Sequence, residues 1–417
     1  MPTKNASKEG RYSKHSFLVH GKFWSRKWDF EHHVVPPITA SSTFRLETAE
    51  RGAAGFCGYA DPSEHAHERG DIFIYDRLDE PTRAMLEERL AYAEDGEAAV
   101  CYATGMAAIA AATGIFLKAG DEVVAHRTLY GCTYSLFTNW YPRYGIRVRY
   151  ADLQKSVPLT RKTRVVYFET PVNPTMDLID IAAVAAAARK RGAAVVVDNT
   201  FATPFCQRPL ALGADVVVHS LTKNICGFGT DMGGAVIASR KREPDLLLYR
   251  KDFGGALAPK NAWAILVYGL PSLELRIRKE EQSAAEIARF LESHPKVARV
   301  SYPGLESFPQ RDLARRQMTD FDGSFAPGNM IAFSMKTAAS ARKLVDLVAK
   351  NAYTITLAVS LGQIRTLIEC PGSMTHSALP SEVQKGGGID PGLVRLSVGI
   401  EDPGDIIHDL SEALARC

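Results

Sequence analysis

The sequence has no run of 18 apolar residues, so nothing in it reads as a membrane span. It has no CxxC pair: its seven cysteines, Cys57, Cys101, Cys132, Cys206, Cys226, Cys370 and Cys417, are scattered. That spacing argues against a zinc site and against a disulfide framework. It has no GxGxxG, which disfavours a dinucleotide. It lacks an apolar h-region near its start, so a reducing cytoplasm is expected rather than secretion. Its net charge is only +3, which predicts no acidic partner.

What is present is ordinary for a globular protein: 46% hydrophobic and 23% charged residues. At 417 residues the chain is too long for one small core, and a boundary near residue 265 is expected. Residues 76–265 then form a large domain and 266–417 a C-terminal one, behind an arm over 1–75. Seven basic residues lie between Lys4 and Lys27, where Glu9 is the only acid. They are mixed with Phe17, Leu18, Val19, Phe23 and Trp24, which suits an arm packed on a partner subunit better than a nucleic-acid tail. His65 and His67 lack a third ligand in sequence and read as a polar loop, so no metal is expected.

Two β-branched runs dominate the middle of the chain, Val195–Val197 and Val216–Val218. Continuous apolar runs of this length read as buried parallel strands. Asp198 follows the first, and Ser220, Thr222 and Lys223 follow the second. Ligands of open α/β sheets bind where the C-terminal strand ends emerge, so these groups are expected to share one crevice. A half-buried lysine that can lose its proton is the natural partner of a carbonyl, through a Schiff base. An aspartate at a strand end suits a protonated pyridine nitrogen. Together they point to pyridoxal phosphate.

Other stretches bear on that reading. ATGM places Thr104, Gly105 and Met106 at the mouth of an alanine-rich helix, where free N–H groups make a phosphate seat. Tyr130 sits at a strand-to-helix turn, where a ring can stack on a flat cofactor. Asn173 stands at another strand end, between Pro171 and Pro174. Residues 241–260 read as a linker. A long helix is expected from about Asn261, interrupted at Pro271. After it comes a small α+β domain, with an irregular loop from Val359 to Pro380. Arg395 lies inside the apolar strand LVRLSV. A buried arginine needs an anion, and a substrate carboxylate and a structural ion pair both remain open.

ETPVNPT, VVVDNTFATPF, GADVVVHSLTK and LVRLSVGIED stand in order and at characteristic spacing. On these stretches the chain resembles the Cys/Met-metabolism (trans-sulfuration) group of fold type I pyridoxal phosphate enzymes, from about Pro36 to the last helix. The resemblance implies a large domain with a mostly parallel seven-stranded sheet, plus a smaller C-terminal α+β domain. It implies Lys223 as the Schiff-base lysine, Asp198 on the pyridine nitrogen and Tyr130 on the ring. Gly105, Met106, Ser220 and Thr222 would hold the phosphate, with Tyr75 and Arg77 reaching the phosphate of a neighbouring subunit. Asn173, Ser360 and Arg395 would surround the substrate carboxylate and the cofactor's 3′ oxygen. The active unit would be a homotetramer, a dimer of catalytic dimers. In one place the chain departs from the pattern: YDRLDEPT carries Asp76 and Glu80 where the family usually has serine and asparagine.

Within the group, three features resemble the methionine γ-lyases: Cys132 after Tyr-Gly, the pair Lys251-Asp252, and Val359 before Ser360, where cystathionine enzymes commonly place glutamate. The resemblance therefore implies γ-elimination of methionine to methanethiol, 2-oxobutyrate and ammonia, with Lys223 as base, Tyr130 as acid and Cys132, Lys251 and Asp252 shaping the substrate pocket. The alternatives are a cystathionine γ-lyase or broad cysteine/homocysteine lyase, and a γ-replacement enzyme such as O-acetylhomoserine sulfhydrylase or cystathionine γ-synthase.

Overall fold

The computed structural model describes residues 12–21, 34–60, 72–377 and 380–417. Much of the basic stretch, and the loop with His65 and His67, lie outside those residues.

Seven strands form the large sheet: β1 Ala98–Tyr102, β2 Glu122–His126, β3 Arg147–Ala151, β4 Thr163–Glu169, β5 Ala194–Asp198, β6 Val216–Ser220 and β7 Gly234–Ala238. Their spatial order is β1-β7-β6-β5-β4-β2-β3. From β6 to β3 all neighbours are parallel, and β7 runs antiparallel to both β1 and β6. The two valine runs are fully buried, because helices cover both faces of the sheet. Side chains alternate across a strand. Val196, Val216 and Val218 pack with Ala108 and Ile109 of helix Gly105–Gly114 on one face. Val195 and Val197 pack with Val184 and Ala185 of helix Ile181–Arg189 on the other.

A second sheet holds β8 Val297–Ser301, β9 Met330–Met335, β10 Ile355–Leu357, β11 Thr366–Glu369 and β12 Leu393–Ser397, in the order β10-β11-β12-β9-β8. Its pairings are antiparallel except β10 with β11. Helices Leu270–Ser293, Ala338–Asn351 and Pro403–Ala415 pack on it through Ile287, Leu344 and Leu410. The expected architecture, a mostly parallel seven-stranded sheet plus a smaller α+β unit, is the one observed.

Three local expectations are corrected. The stretch read as a linker holds helix Glu243–Phe253. Its buried face is Leu246, Leu247 and Arg250, and Arg250 is neutralised by Glu87 at 2.6 Å. With an arginine in the core face, the apolar stripe is too thin to read. Pro271 does not interrupt the long helix. A π-helical turn, Ile265–Gly269, precedes it, and the carbonyl of Gly269 accepts from Ser272 Oγ at 3.1 Å and Arg276 Nη2 at 2.9 Å. Pro271 stands in the first turn of helix Leu270–Ser293, where its missing N–H breaks no helical bond. The loop read over Val359–Pro380 contains β11, four residues too short to show alternation.

Candidate active site

The C-terminal ends of β4, β5 and β6 open onto one cavity of about 420 Å3. Asp198 closes β5 and Ser220 closes β6. By strand alternation they share a face with Val196 and Val218, and so look toward the start of helix Gly105–Gly114. A Cβ on Gly105 would lie 2.8 Å from Ser220 Cβ, so only glycine lets the helix begin this close to β6. Thr104 caps the helix, its hydroxyl accepting from the Ala107 N–H at 3.1 Å. The N–H groups of Gly105 and Met106 have no partner within the helix, and Ser220 and Thr222 line the same wall. The set forms a cradle for a phosphate.

Lys223 follows on the turn after β6. Its Nζ donates to Ser360 Oγ at 2.7 Å. Burial lowers its ammonium to about 8; Arg395 acts the same way and Glu369 opposes. An amine held there sheds its proton at about pH 8, well below an ordinary lysine. Asp198 accepts from the Thr200 N–H at 3.0 Å and from the Tyr167 hydroxyl at 3.3 Å. Burial raises its carboxyl, against those bonds and the charge of His219. A protonated ring nitrogen would compensate that burial, so the residues present fit pyridoxal phosphate at both ends, phosphate and ring.

Tyr130 precedes helix Gly131–Ser135, and its backbone N–H donates to Glu169 Oε1 at 2.6 Å. Burial raises its phenol, and the neighbouring Cys132 adds to the shift. The hydroxyl therefore keeps its proton over the working pH range and is available as a donor. Cys132 lines the cavity beside it.

On the facing wall, Arg395 is almost fully buried. It donates to Asn173 Oδ1 at 3.0 Å and to the Ser360 carbonyl at 2.8 Å, and its Nη2 lies 2.9 Å from Glu369 Oε1. The structural ion pair is therefore present, and Arg395 also lines the cavity. Ser360 serves both cations, one through its hydroxyl and one through its carbonyl. To do so it holds φ at +91°, a conformation that costs a non-glycine residue about 1–3 kcal/mol.

Of the residues expected in the site, eleven line this cavity: Gly105, Met106, Tyr130, Cys132, Asn173, Asp198, Ser220, Thr222, Lys223, Ser360 and Arg395. Tyr75, Arg77, Lys251 and Asp252 do not. They cluster elsewhere, with Arg77 stacked over the Tyr75 ring at 5.5 Å and donating to the Lys251 carbonyl, and Lys251 Nζ 3.5 Å from Asp252. The expectation that Lys251 and Asp252 shape the substrate pocket is not met in this chain's own cavity. Both end helix Glu243–Phe253, which directs them to the segment carrying Arg77. The departures at Asp76 and Glu80 have local roles: Asp76 pairs with buried Arg83 at 3.0 Å, and Glu80 caps helix Pro81–Ala93, accepting from the Thr82 N–H at 2.8 Å. Capping is work an asparagine also does.

Three residues of the site escaped the sequence reading. Thr200 joins β5 to β6, donating to Asp198 and accepting from the Ser220 N–H at 2.9 Å; an Asp two residues before a Thr is a turn signal. Glu169 is buried next to Asp198, and burial and that neighbour raise its carboxyl. Glu369 sits at the end of the unread strand β11.

A family model described as Cys/Met metabolism PLP-dependent enzyme matches residues 17–415. The chain is 42% identical to a protein named L-methionine gamma-lyase from Fusobacterium nucleatum subsp. polymorphum over 390 residues, 92% of this chain and 94% of that one. It is 40% identical to a cystathionine gamma-synthase from Mycobacterium bovis over 387 residues, 91% of this chain and 92% of that one. The solved structure of a cystathionine gamma-lyase from Lactobacillus plantarum, complexed with L-serine, superposes with a TM-score of 0.84 at 31% identity, covering 97% of this chain and 99% of that one. The chain belongs to the Cys/Met metabolism family of PLP-dependent enzymes, and pyridoxal phosphate is its cofactor.

Proposed function

We propose that this enzyme carries out the γ-elimination of L-methionine and related sulfur amino acids, with water, to methanethiol, 2-oxobutyrate and ammonia. The observation that carries the reading is the pairing of an amine and a carboxylate receptor on one residue: Ser360 accepts from Lys223 through its hydroxyl and from Arg395 through its carbonyl. A base and a clamp so arranged suit the Cα and carboxylate of one amino acid.

Pyridoxal phosphate, when bound, supplies an electron sink beside Cα. Gly105, Met106, Ser220 and Thr222 would hold its phosphate, Asp198 its ring nitrogen and Tyr130 its ring face. Lys223 takes the proton from Cα and then moves one at Cβ. The Tyr130 hydroxyl donates a proton to the departing sulfur. Arg395, aligned by Asn173 and Ser360, receives the substrate carboxylate. Val359, more than half exposed at the mouth, offers an apolar surface to a thioether and no anion to the distal ammonium of cystathionine. Cys132 shapes the same pocket without taking part in proton transfer.

Tyr75, Arg77, Lys251 and Asp252 act in this reading on the site of a neighbouring subunit, in a homotetramer built from two catalytic dimers. Residues 1–75, 76–265 and 266–417 serve as arm, cofactor domain and C-terminal domain. Among the described residues no helix is long and apolar enough to cross a membrane, and the setting we assign is the cytoplasm.

The second reading is γ-replacement, favoured by the 40% identity to a cystathionine gamma-synthase. Purified enzyme given methionine alone separates the two. Release of methanethiol and 2-oxobutyrate supports elimination; a requirement for an added thiol and an activated homoserine supports replacement.

A further inference from the structure

Glu369 and Arg395 are directly opposed across the antiparallel pair β11–β12. Both are buried, at 1% and 3% exposure. One carboxylate oxygen, Oε1, takes the guanidinium at 2.9 Å and the Thr375 hydroxyl at 2.8 Å. The other, Oε2, has no hydrogen-bond partner among the described residues. The receptor for a substrate carboxylate is thus already neutralised by a carboxylate of the protein, one of whose oxygens is bare. Two carboxylates cannot share one buried guanidinium without a cost of like charge in a low dielectric.

We propose that Glu369 is a positioning residue that keeps Arg395 aligned in the resting enzyme, and that it takes up one proton from solvent when an amino-acid carboxylate binds that arginine. The inference rests on the reading of Arg395 as carboxylate receptor. Charge balances: one anion enters and one proton follows it. Oε1 remains an acceptor for Arg395 and Thr375, and the proton goes to Oε2, the oxygen with room for it. The guanidinium then pairs with the ligand.

The charged and titratable groups around Glu369 make the direction of this change definite. From β12 comes Arg395, and from the turn after β6 comes Lys223; both favour the ionised carboxylate, as does the Thr375 hydroxyl, while burial opposes them and raises the carboxyl above its ordinary value. From the turn after β11, His376 stands behind Thr375, its Nδ1 3.1 Å from the Thr375 hydroxyl. Burial, and then Arg395, lower that imidazole to about 4, so it brings no charge near neutral pH. Tyr130, on the far side of Arg395, keeps its proton. Cys370, the next residue on the strand, has its thiol raised by burial and then by Glu369, and is neutral as well. Arg395 is the largest influence favouring the ionised form. An anion on it cancels that influence and leaves burial to protonate Glu369.

The test uses the holoenzyme and L-norleucine, which has no leaving group at Cγ. Binding is followed by the absorbance of the bound cofactor and by calorimetry in buffers of different ionisation enthalpy. Glu369→Gln mimics the protonated carboxyl. Wild type should take up about one proton more than the variant on binding norleucine, and its Kd should rise relative to the variant's by about tenfold per pH unit above the titration of Glu369. If the variant does not fold, wild type alone decides: norleucine should draw about one proton more than n-pentylamine, which lacks the carboxylate. Equal proton counts, or a Kd ratio that does not change with pH, would overturn the proposal and leave the Arg395 reading standing. Failure of norleucine to bind wild type at all would overturn both.

Discussion

The ammonium of Lys223 and the hydroxyl of Ser360, 137 positions apart in sequence, meet at 2.7 Å. The contact joins the turn after β6 to the segment leading into β11, and so the large sheet to the smaller one. Ser360 holds φ at +91° to make it. Glycine adopts that conformation without the side-chain penalty. Ser360→Gly should therefore fold at least as stably as wild type while losing about tenfold or more in kcat, since the base loses its partner. A thermal melt and a kinetic assay on the same preparation check it. A variant that loses stability and keeps its rate would show that the strain serves structure alone.

The glycine at position 105 makes a second test. An alanine there would press its methyl to 2.8 Å from Ser220 Cβ, spreading the helix start from the end of β6. Gly105→Ala should weaken pyridoxal phosphate binding by about tenfold or more, ~1.4 kcal/mol per decade. Titration of the apoprotein with the cofactor measures it.

Arg395 answers to two partners at once. Arg395→Ala should raise KM for the amino acid by about tenfold or more, and it also strands Glu369 as a buried carboxylate with no cation opposite. Breaking one side of a buried pair costs roughly 3–5 kcal/mol. Arg395→Ala combined with Glu369→Gln should recover much of that stability and none of the substrate affinity. Denaturant unfolding separates the two effects.

Lys223 makes the apoprotein's stability depend on pH. Its folded pKa is about 8, below the ordinary 10.5. Between those values the unfolded chain binds a proton that the folded chain has released, so stability rises with pH across that window. Below about pH 8 both states hold the proton and the full penalty of a buried cation remains. Lys223→Met should flatten this component of the profile. Urea unfolding of both apoproteins at a series of pH values gives the comparison, and identical slopes would remove Lys223 from the list of buried titrating groups.

Val359 bears on substrate choice. An acid placed there would face the distal ammonium of cystathionine. Val359→Glu should shift the ratio of kcat/KM from methionine toward cystathionine by about tenfold or more, with products identified for each substrate. An unchanged ratio would mean that the discrimination resides elsewhere in the pocket.

Most of the large sheet was legible from residues alone, because two valine runs that pack helices on both faces have no other comfortable conformation. Asp198, Ser220 and Lys223 were legible with them, since polar groups just past such runs must emerge at one edge. The seat at Gly105 was legible through its glycine. What escaped notice depends on partners distant in sequence. Helix Glu243–Phe253 buries an arginine whose counter-ion, Glu87, lies 163 positions away, so its apolar stripe is thin. Strand β11 is four residues long, and its charged end, Glu369, looks like loop until Arg395 is set opposite. Tyr75, Arg77, Lys251 and Asp252 were read as site residues from resemblance, and in one chain they stand apart from the cavity.

The central claim is that the Lys223 amine does the chemistry in this cavity. Lys223→Ala, purified with pyridoxal phosphate, measures it most directly. The variant should lose the visible absorbance of lysine-bound cofactor and nearly all release of 2-oxobutyrate from methionine, while its fold, read by circular dichroism, stays intact. Wild-type turnover in that variant, with no amine added, would contradict the account.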